Sequence, residues 1–507
     1  MQHVYRSTAT LPLHGPEASR RIELAAQAAL PAHTLMRRAG LGVARLALAL
    51  APHARRVWIA AGPGNNGGDG LEAAVTLLQT GKQVQLTLAG DPARLPADAL
   101  DALARAQAAG VSIGQAGPPL LGSHDLAIDA LLGLGASRAP QGRLAELIAH
   151  FGALPCPVLA VDLPSGLDGR TGQPIGDRCV RASHTLSLLS LKPGLFTGHG
   201  RDFAGEVWFD DLGVEGGQVP PDAWLTGTDE ALAARERRSH AQHKGSFGDV
   251  AIVGGAPGMT GAALLAARAA PAAGAGRVFV SLLEPERGGQ DLALDPARPE
   301  LMFRLAWWHG PSAAIGTTTV VCGCGGGDAV RSVLPRLLSL CQRLVLDADA
   351  LNAIAADPGL QAQLEARAAR GHASVLTPHP LEAARLLGVP TAEVQADRLH
   401  GAQALAKRFG CVVLLKGSGS VIAAPACTTY INPTGNAALA TAGTGDVLAG
   451  WIGGLWAQDG HTTSALAMAV SAAHAHGAAA DAAGVVPLRA ADLVEWMAKS
   501  PPARRRA

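Results

Sequence analysis

The chain has 507 residues and a formal net charge of +1, so it can hold two to four domains of about 150 residues each. This nearly balanced charge excludes a general electrostatic attraction to nucleic acid or to an acidic membrane surface. The sequence has neither a charged and then apolar leader nor a run of about 20 apolar residues, so we expect no membrane segment. Its seven cysteines include no paired C-x-x-C motif, which indicates reduced thiols in a cytoplasmic protein.

The first part of the chain predicts a βαβ unit. Apolar residues at helical spacing indicate two helices within 17–50, separated at Pro31. The pattern then predicts a strand, a helix and a second strand, at 57–61, 71–80 and 84–88. The intervening turn matches G-x-G-x-x-G, and Asp91 after the second strand could bind a ribose.

The side chains of this turn argue against an ordinary dinucleotide fold. Asn65, Asn66 and Asp69 fill it with carboxylate and amide groups, which suit a polar ligand or a cation better than a bare backbone contact with pyrophosphate does. The turn therefore predicts a specialised site.

Two further strand ends carry polar side chains. Asp129 follows one apolar run, and Asp162 and Ser165 follow the next. Loops at the carboxyl ends of parallel strands converge on one crevice, so these residues and Asn66 could share a site. Taken singly, each is as well explained by a turn or a helix cap. Their recurrence at successive strand ends favours the shared site.

A polar, glycine-rich and charged stretch at 215–242 predicts a boundary between domains 1–225 and 226–507. Beyond it, strands alternate with helical patterns, which predicts a second largely parallel, doubly wound α/β sheet. These strands are expected at 249–253, 278–282, 319–322, 344–346, 374–376 and 412–415. The loops that follow them, including LDADALN and LKGSGSVI, could build one nucleotide-binding crevice, although the Walker spacing of a P-loop is absent.

The stretch NPTGNAALATAGTGDVLAG, residues 432–450, predicts a glycine turn that leads into a helix. Gly443 permits positive φ, and the free amides of the first helical turn attract anions, phosphate above all. Asp446 would repel a phosphate, but it suits a base that deprotonates a hydroxyl in phosphoryl transfer. This combination favours a small-molecule kinase chemistry. The alternative is a tight turn with an Asp cap.

Several separated motifs, in order, resemble those of the bifunctional NAD(P)H-hydrate repair enzymes. GNNGGDG, DALLGLG, VDLPSGLDG and LKPGLFTG resemble the epimerase domain of that family, and HKGSFGDVAIVGG, LDADALN, TPHPLEAARLLG and the GTGD stretch resemble its dehydratase domain. The resemblance implies a Rossmann-like epimerase domain followed by a ribokinase-like, ADP-dependent dehydratase domain. Together these would repair NADH or NADPH that has gained water across the nicotinamide ring.

The resemblance also assigns residues in the epimerase domain. Asp162 is expected to be catalytic and to contact the substrate, and K+ is expected on Asn66, Asp129 and Ser165. The other substrate-binding positions are Asn65, Asn66, Gly67, Gly68, Asp69, Gly133, Leu134, Gly135, Ala136, Ser137, Arg138 and Ala139.

In the dehydratase domain Asp446 is expected to be catalytic, with ADP as phosphoryl donor and Mg2+ on the nucleotide. The positions implied to contact the hydrate are Ala262, Gly325, His379 and Asp446. Those implied for the nucleotide are Lys416, Gly417, Ser418, Gly419, Ser420 and Gly445. Cys324 stands where proline is common in the family, and Ala442 stands where glycine is common. For His379 itself, the residues alone leave a structural role in a rigid turn as the alternative to a substrate contact.

The partners implied are the small molecules NADHX, NADPHX and ADP, without nucleic acid or membrane, and we expect a homo-oligomer. Two alternatives belong to other classes. A vitamin-precursor kinase also uses G-x-G-D, but the N-terminal domain and the HKGSFGDV opening argue against it. The N-terminal half could instead be a non-catalytic scaffold, which the presence of Asp162 and of the NNGGD loop disfavours.

Overall fold

The computed structural model describes residues 1–214, 219–233, 238–283, 294–458, 464–484 and 487–499. The chain forms two compact units. Unit 1 comprises residues 1–7 and 12–224, and unit 2 comprises 8–11 and 225–507. The division thus lies next to residue 225, and four N-terminal residues join the second unit. Parts of the predicted boundary stretch, 215–218 and 234–237, lie outside the described residues.

The elements of the N-terminal half are short strands alternating with helices. The strands are β1 Gln2–His3, β2 Leu11–Leu13, β3 Arg56–Ala61, β4 Gln83–Leu88, β5 Ser112–Gly114, β6 Leu126–Ala130, β7 Val158–Val161, β8 His184–Leu188, β9 Glu206–Asp210 and β10 Ala223–Leu225. The helices are α1 Pro16–Ala29, α2 Thr34–Leu50, α3 Asn65–Gln79, α4 Ala97–Ala108, α5 Gly142–Phe151 and α6 Gly200–Phe203. The division between the units falls within β2 and β10.

The sheet of unit 1 has the order β1-β9-β8-β7-β6-β3-β4-β5. Its pairs are parallel except β1 with β9. Alternate residues of β3 enter different cores: Val57 and Ile59 pack on one face, and Trp58 packs on the other. Burial on both faces is the mark of a doubly wound sheet. The strand order reverses between β3 and β6, where such folds place ligands.

The second unit contains more helices. Its strands are β11 Asp249–Gly254, β12 Arg277–Leu282, β13 Met302–Phe303, β14 Thr319–Cys322, β15 Arg343–Leu346, β16 Ala373–Leu376, β17 Val412–Leu415, β18 Val421–Ala423 and β19 Thr429–Ile431. Its helices are α7 Thr228–Ala233, α8 Thr260–Ala273, α9 Ser312–Thr317, α10 Val330–Leu340, α11 Ala348–Ala356, α12 Pro358–Glu365, α13 Pro380–Leu387, α14 Thr391–Ala396, α15 Arg398–Phe409, α16 Thr444–Ala457, α17 Ala465–Ala483 and α18 Ala490–Lys499.

The strands of unit 2 run in the order β13-β12-β11-β14-β15-β16-β17-β18-β19. They are parallel from β13 to β17, and β18 and β19 then pair antiparallel. The order reverses between β11 and β14. The prediction of two doubly wound α/β domains is therefore confirmed, and each sheet has a crevice of the kind that binds ligands.

One predicted boundary was wrong, because α3 begins at Asn65 and not near Leu71. Gly67, Gly68 and Gly70 lie inside the helix and allow it to approach the sheet closely. A β-carbon at Gly67 would lie 2.0 Å from the Gly62 carbonyl oxygen, and one at Gly70 would lie 2.7 Å from the Ala130 β-carbon. The polar side chains of this motif are therefore held on a rigid first turn.

Asp91 follows β4 and caps the short helix after it. Its Oδ1 accepts a hydrogen bond from the Ala93 amide at 3.0 Å, and the side chain caps the short 3-10 helix Pro92–Arg94. The observed contact is that of a helix cap, and ribose binding by Asp91 stays a prediction.

Small residues bring α16 against α8. A β-carbon at Gly450 would lie 2.0 Å from the Ala266 carbonyl oxygen, and one at Gly454 would lie 2.2 Å from that of Ala270. The alanine-rich stretch 465–483 forms α17. High Ala and Gly content therefore serves close helix packing, which fixes the start of α16 over the sheet.

All seven cysteines are free thiols, and Cys427 alone is exposed. Within the described ranges, every helix is too short or too polar to cross a bilayer.

Candidate active sites

The crevice of unit 1 brings the start of α3 and the loop after β6 together. A β-carbon at Gly133 would lie 3.1 Å from Asn66 Oδ1, so glycine leaves room for the amide. Asn66 Nδ2 is buried, and it has no hydrogen-bond partner among the described residues. A buried donor of this kind is suited to a ligand acceptor.

Asp129 and Ser165 form a buried pair beside this loop. Ser165 Oγ donates to Asp129 Oδ1 at 2.6 Å, and the Ser165 amide donates to Oδ2 at 2.8 Å. Burial raises the pKa of Asp129 to about 6, although these bonds oppose the shift. Ser165 Oγ also lies 3.2 Å from the Leu132 carbonyl oxygen. Several oxygen atoms are thus grouped at the end of β6.

Asp162 has a left-handed backbone, with φ of 66°, which is unusual for a residue other than glycine and recurs at functional sites. Its Oδ1 forms an ion pair with Lys192 Nζ and accepts from the Leu188 amide at 3.3 Å. The Lys192 side chain is only 2% exposed. Its ammonium also donates to the carbonyl oxygens of Leu188 and Ser190, at 2.8 and 2.9 Å.

Lys192 is a site residue that the sequence motifs did not predict. The available signal was a lysine inside the otherwise apolar run of LKPGLF, because a lysine is fully buried only when it is paired. Leu134 of the predicted substrate loop lies near it: a β-carbon at Gly169 would be 3.3 Å from Leu134 Cδ1 and 3.7 Å from Lys192 Cγ. The structure therefore brings this loop to the Asp162 pair.

Among the other predicted residues of unit 1, Asp69 lies within electrostatic reach of Asp162, whereas part of the substrate loop is exposed. Burial and the negative charges of Asp162 and Glu23 raise the pKa of Asp69 well above its ordinary value, so Asp69 is electrostatically coupled to Asp162. In contrast, Gly135, Ser137, Arg138 and Ala139 are exposed on the β6–α5 connection.

In unit 2, Asp446 lies in the first turn of α16. Gly443 precedes the helix with φ of 92°, as the glycine turn predicts. The first amides of a helix have no intrahelical acceptor, and they present positive charge to a ligand. Burial and the charge of Asp347 raise the pKa of Asp446 to about 6, whereas a Cys324 hydrogen bond and Lys416 oppose the rise. Asp446 is therefore a better base than an ordinary aspartate.

Lys416 lies beneath the GTGD turn and pairs with Asp347. Its Nζ donates to Asp347 Oδ1 at 2.7 Å, and Thr377 Oγ1 donates to the same oxygen at 2.8 Å. A β-carbon at Gly445 would lie 3.1 Å from Lys416 Nζ, so the glycine permits the approach. Burial lowers the pKa of Lys416, but the charges of Asp347 and Glu382 outweigh it and raise the pKa.

Cys324 completes this group of side chains. Its Sγ lies 4.0 Å from Asp347 Oδ2. Three residues, Cys324, Asp347 and Asp446, each offer one ligand atom here. These three atoms lie within 4.8 Å of one another. Cys324 and Asp347 are each 1% exposed. We did not assign either residue to the site from the sequence, although both lie in loops that we had singled out.

Ala262 and Gly325 meet at the reversal point of the second sheet. A β-carbon at Gly325 would lie 2.9 Å from the Ala262 β-carbon and 2.6 Å from the Met259 carbonyl oxygen, and Gly325 has φ of 58°. The structure thus brings the two positions together as neighbours.

His379 caps helix α13. Its Nδ1 accepts from the Leu381 and Glu382 amides at 3.1 and 3.3 Å, and its own amide donates to Glu382 Oε2 at 2.8 Å. Burial and the charge of Lys416 lower the pKa of His379, and burial raises the pKa of Glu382 to about 7. Nε2 also lies 3.2 Å from Glu382 Oε1, so both ring nitrogens take part in the cap and a structural role is visible.

The KGSGS segment turns between β17 and β18. Gly417 has φ of 138°, and a β-carbon there would lie 2.9 Å from the Arg398 guanidinium. Arg398 is buried and donates to the carbonyl oxygens of Leu415 and Lys416, at 3.3 and 3.2 Å. Ser420 Oγ donates to the Gly417 carbonyl at 3.2 Å. Arg398 therefore supports the segment from below, a contact that the sequence did not reveal.

Comparison with known proteins matches both units to described families. Residues 250–493 match the family described as NAD(P)H-hydrate dehydratase, and residues 32–194 match that described as YjeF-related protein N-terminus. The chain is 37% identical to the bifunctional NAD(P)H-hydrate repair enzyme Nnr of Escherichia coli over 464 residues, which cover 89% of this chain and 85% of that one. It is 36% identical to the corresponding enzyme of Coxiella burnetii, over 86% of this chain and 88% of that one.

A solved structure also resembles part of the chain. It is the ADP/ATP-dependent NAD(P)H-hydrate dehydratase of Bacillus subtilis, co-crystallised with ATP and Mg2+, with a TM-score of 0.44 and 27% identity. The similarity covers 54% of this chain and 95% of that one.

Proposed function

The chain belongs to the family of bifunctional NAD(P)H-hydrate repair enzymes, and from this premise we propose which residues carry each step. The enzyme interconverts the R and S hydrates of NADH and NADPH, and it dehydrates the S hydrate to NAD(P)H in a nucleotide-dependent reaction. We assign epimerisation to residues 1–225 and dehydration to residues 226–507. Hydrated dinucleotides and a nucleoside phosphate are its small-molecule partners, and a cytoplasmic homo-oligomer remains a prediction from the sequence.

The dehydration rests on Asp446. Hydroxide is a poor leaving group, whereas phosphate is a good one, so transfer of a phosphoryl group to the ring hydroxyl prepares the elimination. Asp446 accepts the hydroxyl proton as the oxygen–phosphorus bond forms, and a pKa of about 6 makes it mostly ionised and still basic near neutral pH. The amides of Gly445 and its neighbours stabilise the transferring phosphoryl group at the helix N-terminus. Loss of phosphate and of a ring proton then restores the dihydronicotinamide.

The position of Lys416 supports a role in binding phosphate at this site. Its ammonium is held by Asp347 directly below Gly445, where it adds positive charge to the same anion-binding turn. We therefore assign Lys416 and the 417–420 segment to the nucleotide phosphates.

Mg2+ supplies charge neutralisation on the nucleotide phosphates when it is bound. Asp347 fits this hard cation, because its carboxylate lies beside Asp446 and Mg2+ prefers oxygen ligands. We propose the Asp347 carboxylate, acting directly or through water, as its protein ligand, which leaves Asp446 to act as the base.

Epimerisation rests on Asp162. Departure of the hydroxyl group leaves a cationic ring, and return of water to the opposite face gives the other epimer. The Asp162 carboxylate is fixed by Lys192 and the Leu188 amide, so we assign it to stabilise the cation by its charge. Asp69, with its raised pKa, is the nearby acid suited to protonate the leaving hydroxyl.

K+ orders the loops and provides positive charge when it is bound. Asn66, Asp129 and Ser165 supply only oxygen ligand atoms, with the Leu132 carbonyl beside them. Asp129 is fully buried, and among the described residues it accepts hydrogen bonds from the Leu131 amide and from the amide and hydroxyl of Ser165, which are uncharged donors. A monovalent cation fits this set because it would neutralise the buried carboxylate.

The test is recovery of reduced nicotinamide absorbance from a mixture of R and S hydrates, with ADP, with ATP or with no nucleotide. Complete nucleotide-dependent recovery, beyond slow uncatalysed epimerisation, is the expected result, and we expect ADP to be the faster donor. Recovery of one epimer alone would make unit 1 a scaffold. No recovery with either nucleotide would overturn the proposal in favour of a vitamin-precursor kinase.

A further inference from the structure

Three ligand-bearing side chains from separate loops converge in unit 2. Cys324 follows β14, Asp347 follows β15 and Asp446 begins α16. One sulfur and two carboxylate oxygens lie within 4.8 Å of one another, and Cys324 and Asp347 are almost completely buried. The roles proposed above use the two carboxylates and give the thiol only a hydrogen bond with Asp446.

The spacing is close to that of a metal site. Zinc–sulfur and zinc–oxygen bonds of about 2.3 and 2.1 Å place tetrahedral ligand atoms about 3.5 Å apart. Cys324 Sγ and Asp347 Oδ2 are already 4.0 Å apart. This pair needs a shift of about half an ångström, and the Asp446 oxygen, which lies within 4.8 Å of the other two ligand atoms, needs at most about 1.3 Å, within the reach of side-chain rotation.

The charges also suit a dication. Lys416 and Thr377 occupy Asp347 Oδ1, so Oδ2 is the oxygen that faces Cys324. With the thiol ionised, the three side chains carry three negative charges against the single positive charge of Lys416. A divalent cation would offset the remaining two.

We propose that Cys324, Asp347 and Asp446 form an inhibitory binding site for a borderline-soft divalent cation such as Zn2+. The Cys324 thiol loses its proton to solvent as the metal–sulfur bond forms, and one oxygen of each carboxylate completes the protein ligands. Sulfur separates this site from Mg2+ binding, because Mg2+ takes oxygen ligands. A bound metal prevents Asp446 from accepting the substrate proton, so dehydration stops.

Binding can be tested without substrate. Cd2+ added to the full chain, free of nucleotide and Mg2+, should produce an ultraviolet thiolate-to-metal band with one equivalent bound. Cys324→Ala should lose that band, and Cys427→Ala, which removes the exposed thiol, should keep it. An unchanged band in Cys324→Ala, or its loss in Cys427→Ala alone, overturns the site.

Asp446→Asn provides a second test of the site, which is needed if the Cys324 variant does not fold. It should keep a thiolate band while weakening Cd2+ affinity by at least about tenfold, because one carboxylate ligand is replaced by a neutral amide. Unchanged affinity in this variant would remove Asp446 from the site.

The inhibitory effect rests on the proposed function and needs a separate measurement. Zn2+ should slow dehydration by wild type but not epimerisation, and a chelator should restore the rate. Cys324→Ala, compared with its own metal-free rate, should resist Zn2+ by at least about tenfold in concentration. A Cd2+ band without inhibition would refute the inhibitory role. A band in a chain that repairs no hydrate would instead refute the proposed function and leave the metal site standing.

Discussion

The two units pair a buried lysine with an aspartate in different ways. In unit 1 Lys192 binds Asp162, the proposed catalytic carboxylate itself. In unit 2 Lys416 binds Asp347 instead, and the charge of Asp347 helps to raise the pKa of Asp446 to about 6. The same residue types thus give a fixed negative charge in one unit and a proton acceptor in the other. The difference follows from which carboxylate the lysine reaches.

The strongest test of this comparison is Asp446→Asn. The amide cannot accept the hydroxyl proton, so dehydration should fall by about a thousandfold, within the usual range for a general base, while epimerisation and folding stay intact. Dehydration of purified S hydrate with ADP measures the loss. Asp328→Asn is a matched control, because Asp328 is a fully exposed carboxylate on the Gly327–Ala329 turn. Near wild-type dehydration by Asp446→Asn would contradict the assignment.

Asp162→Ala tests the fixed charge of unit 1. Loss of the charge that stabilises the cationic ring should slow epimerisation by about a hundredfold or more. Dehydration of S hydrate should continue at the wild-type rate, because that reaction belongs to unit 2. Stopped-flow measurement of R to S conversion gives the first rate. An unchanged rate would reject the role of Asp162.

Lys192→Met tests whether the Asp162 pair is also structural. The change leaves Asp162 partly buried without its cation, and loss of one partner of a buried pair costs about 3–5 kcal/mol. Calorimetry of the full chain should show a lower unfolding temperature for one transition and no change in the other. Lys82→Met is the control, because Lys82 also donates to two carbonyl oxygens, at 2.8 and 2.6 Å, but pairs with no carboxylate in those bonds. If both variants lowered the unfolding temperature equally, the ion pair of Lys192 with Asp162 would contribute no more to stability than the hydrogen bonds of Lys82.

The same comparison shows how far sequence reasoning reaches. Strand patterns predicted both doubly wound sheets, because runs buried on both faces are visible in local sequence. Glycines and acids at strand ends predicted the loops around Asn66, Asp162 and Asp446, since turn chemistry is local too. The partners of Lys192 and Lys416 were missed, because each lysine lies 30 or more residues from its aspartate. The start of α3 was missed because its glycines serve packing against Gly62 and Ala130, which only the folded chain reveals.

The finest test uses pH. Burial and Asp347 raise the pKa of Asp446 to about 6, and a base works only when it is ionised. The value of kcat/KM for dehydration should therefore be low below that pH, rise through about 6 and level off above it. The positive charge of Lys416 lowers the pKa of Asp446, so Lys416→Met should move the midpoint of the pH profile to higher pH. This shift is separate from any loss of nucleotide affinity in the same variant.

Rates measured at several substrate concentrations and constant ionic strength, in buffer freed of transition metals, separate the midpoint from KM. Epimerisation provides the internal control, because Lys416 and Asp446 both belong to unit 2. A midpoint that stays near 6 in Lys416→Met would mean that the charge of Lys416 does not act on the pKa of Asp446. The contrast between a fixed charge in unit 1 and a tuned base in unit 2 would then rest on burial and Asp347, without the lysine.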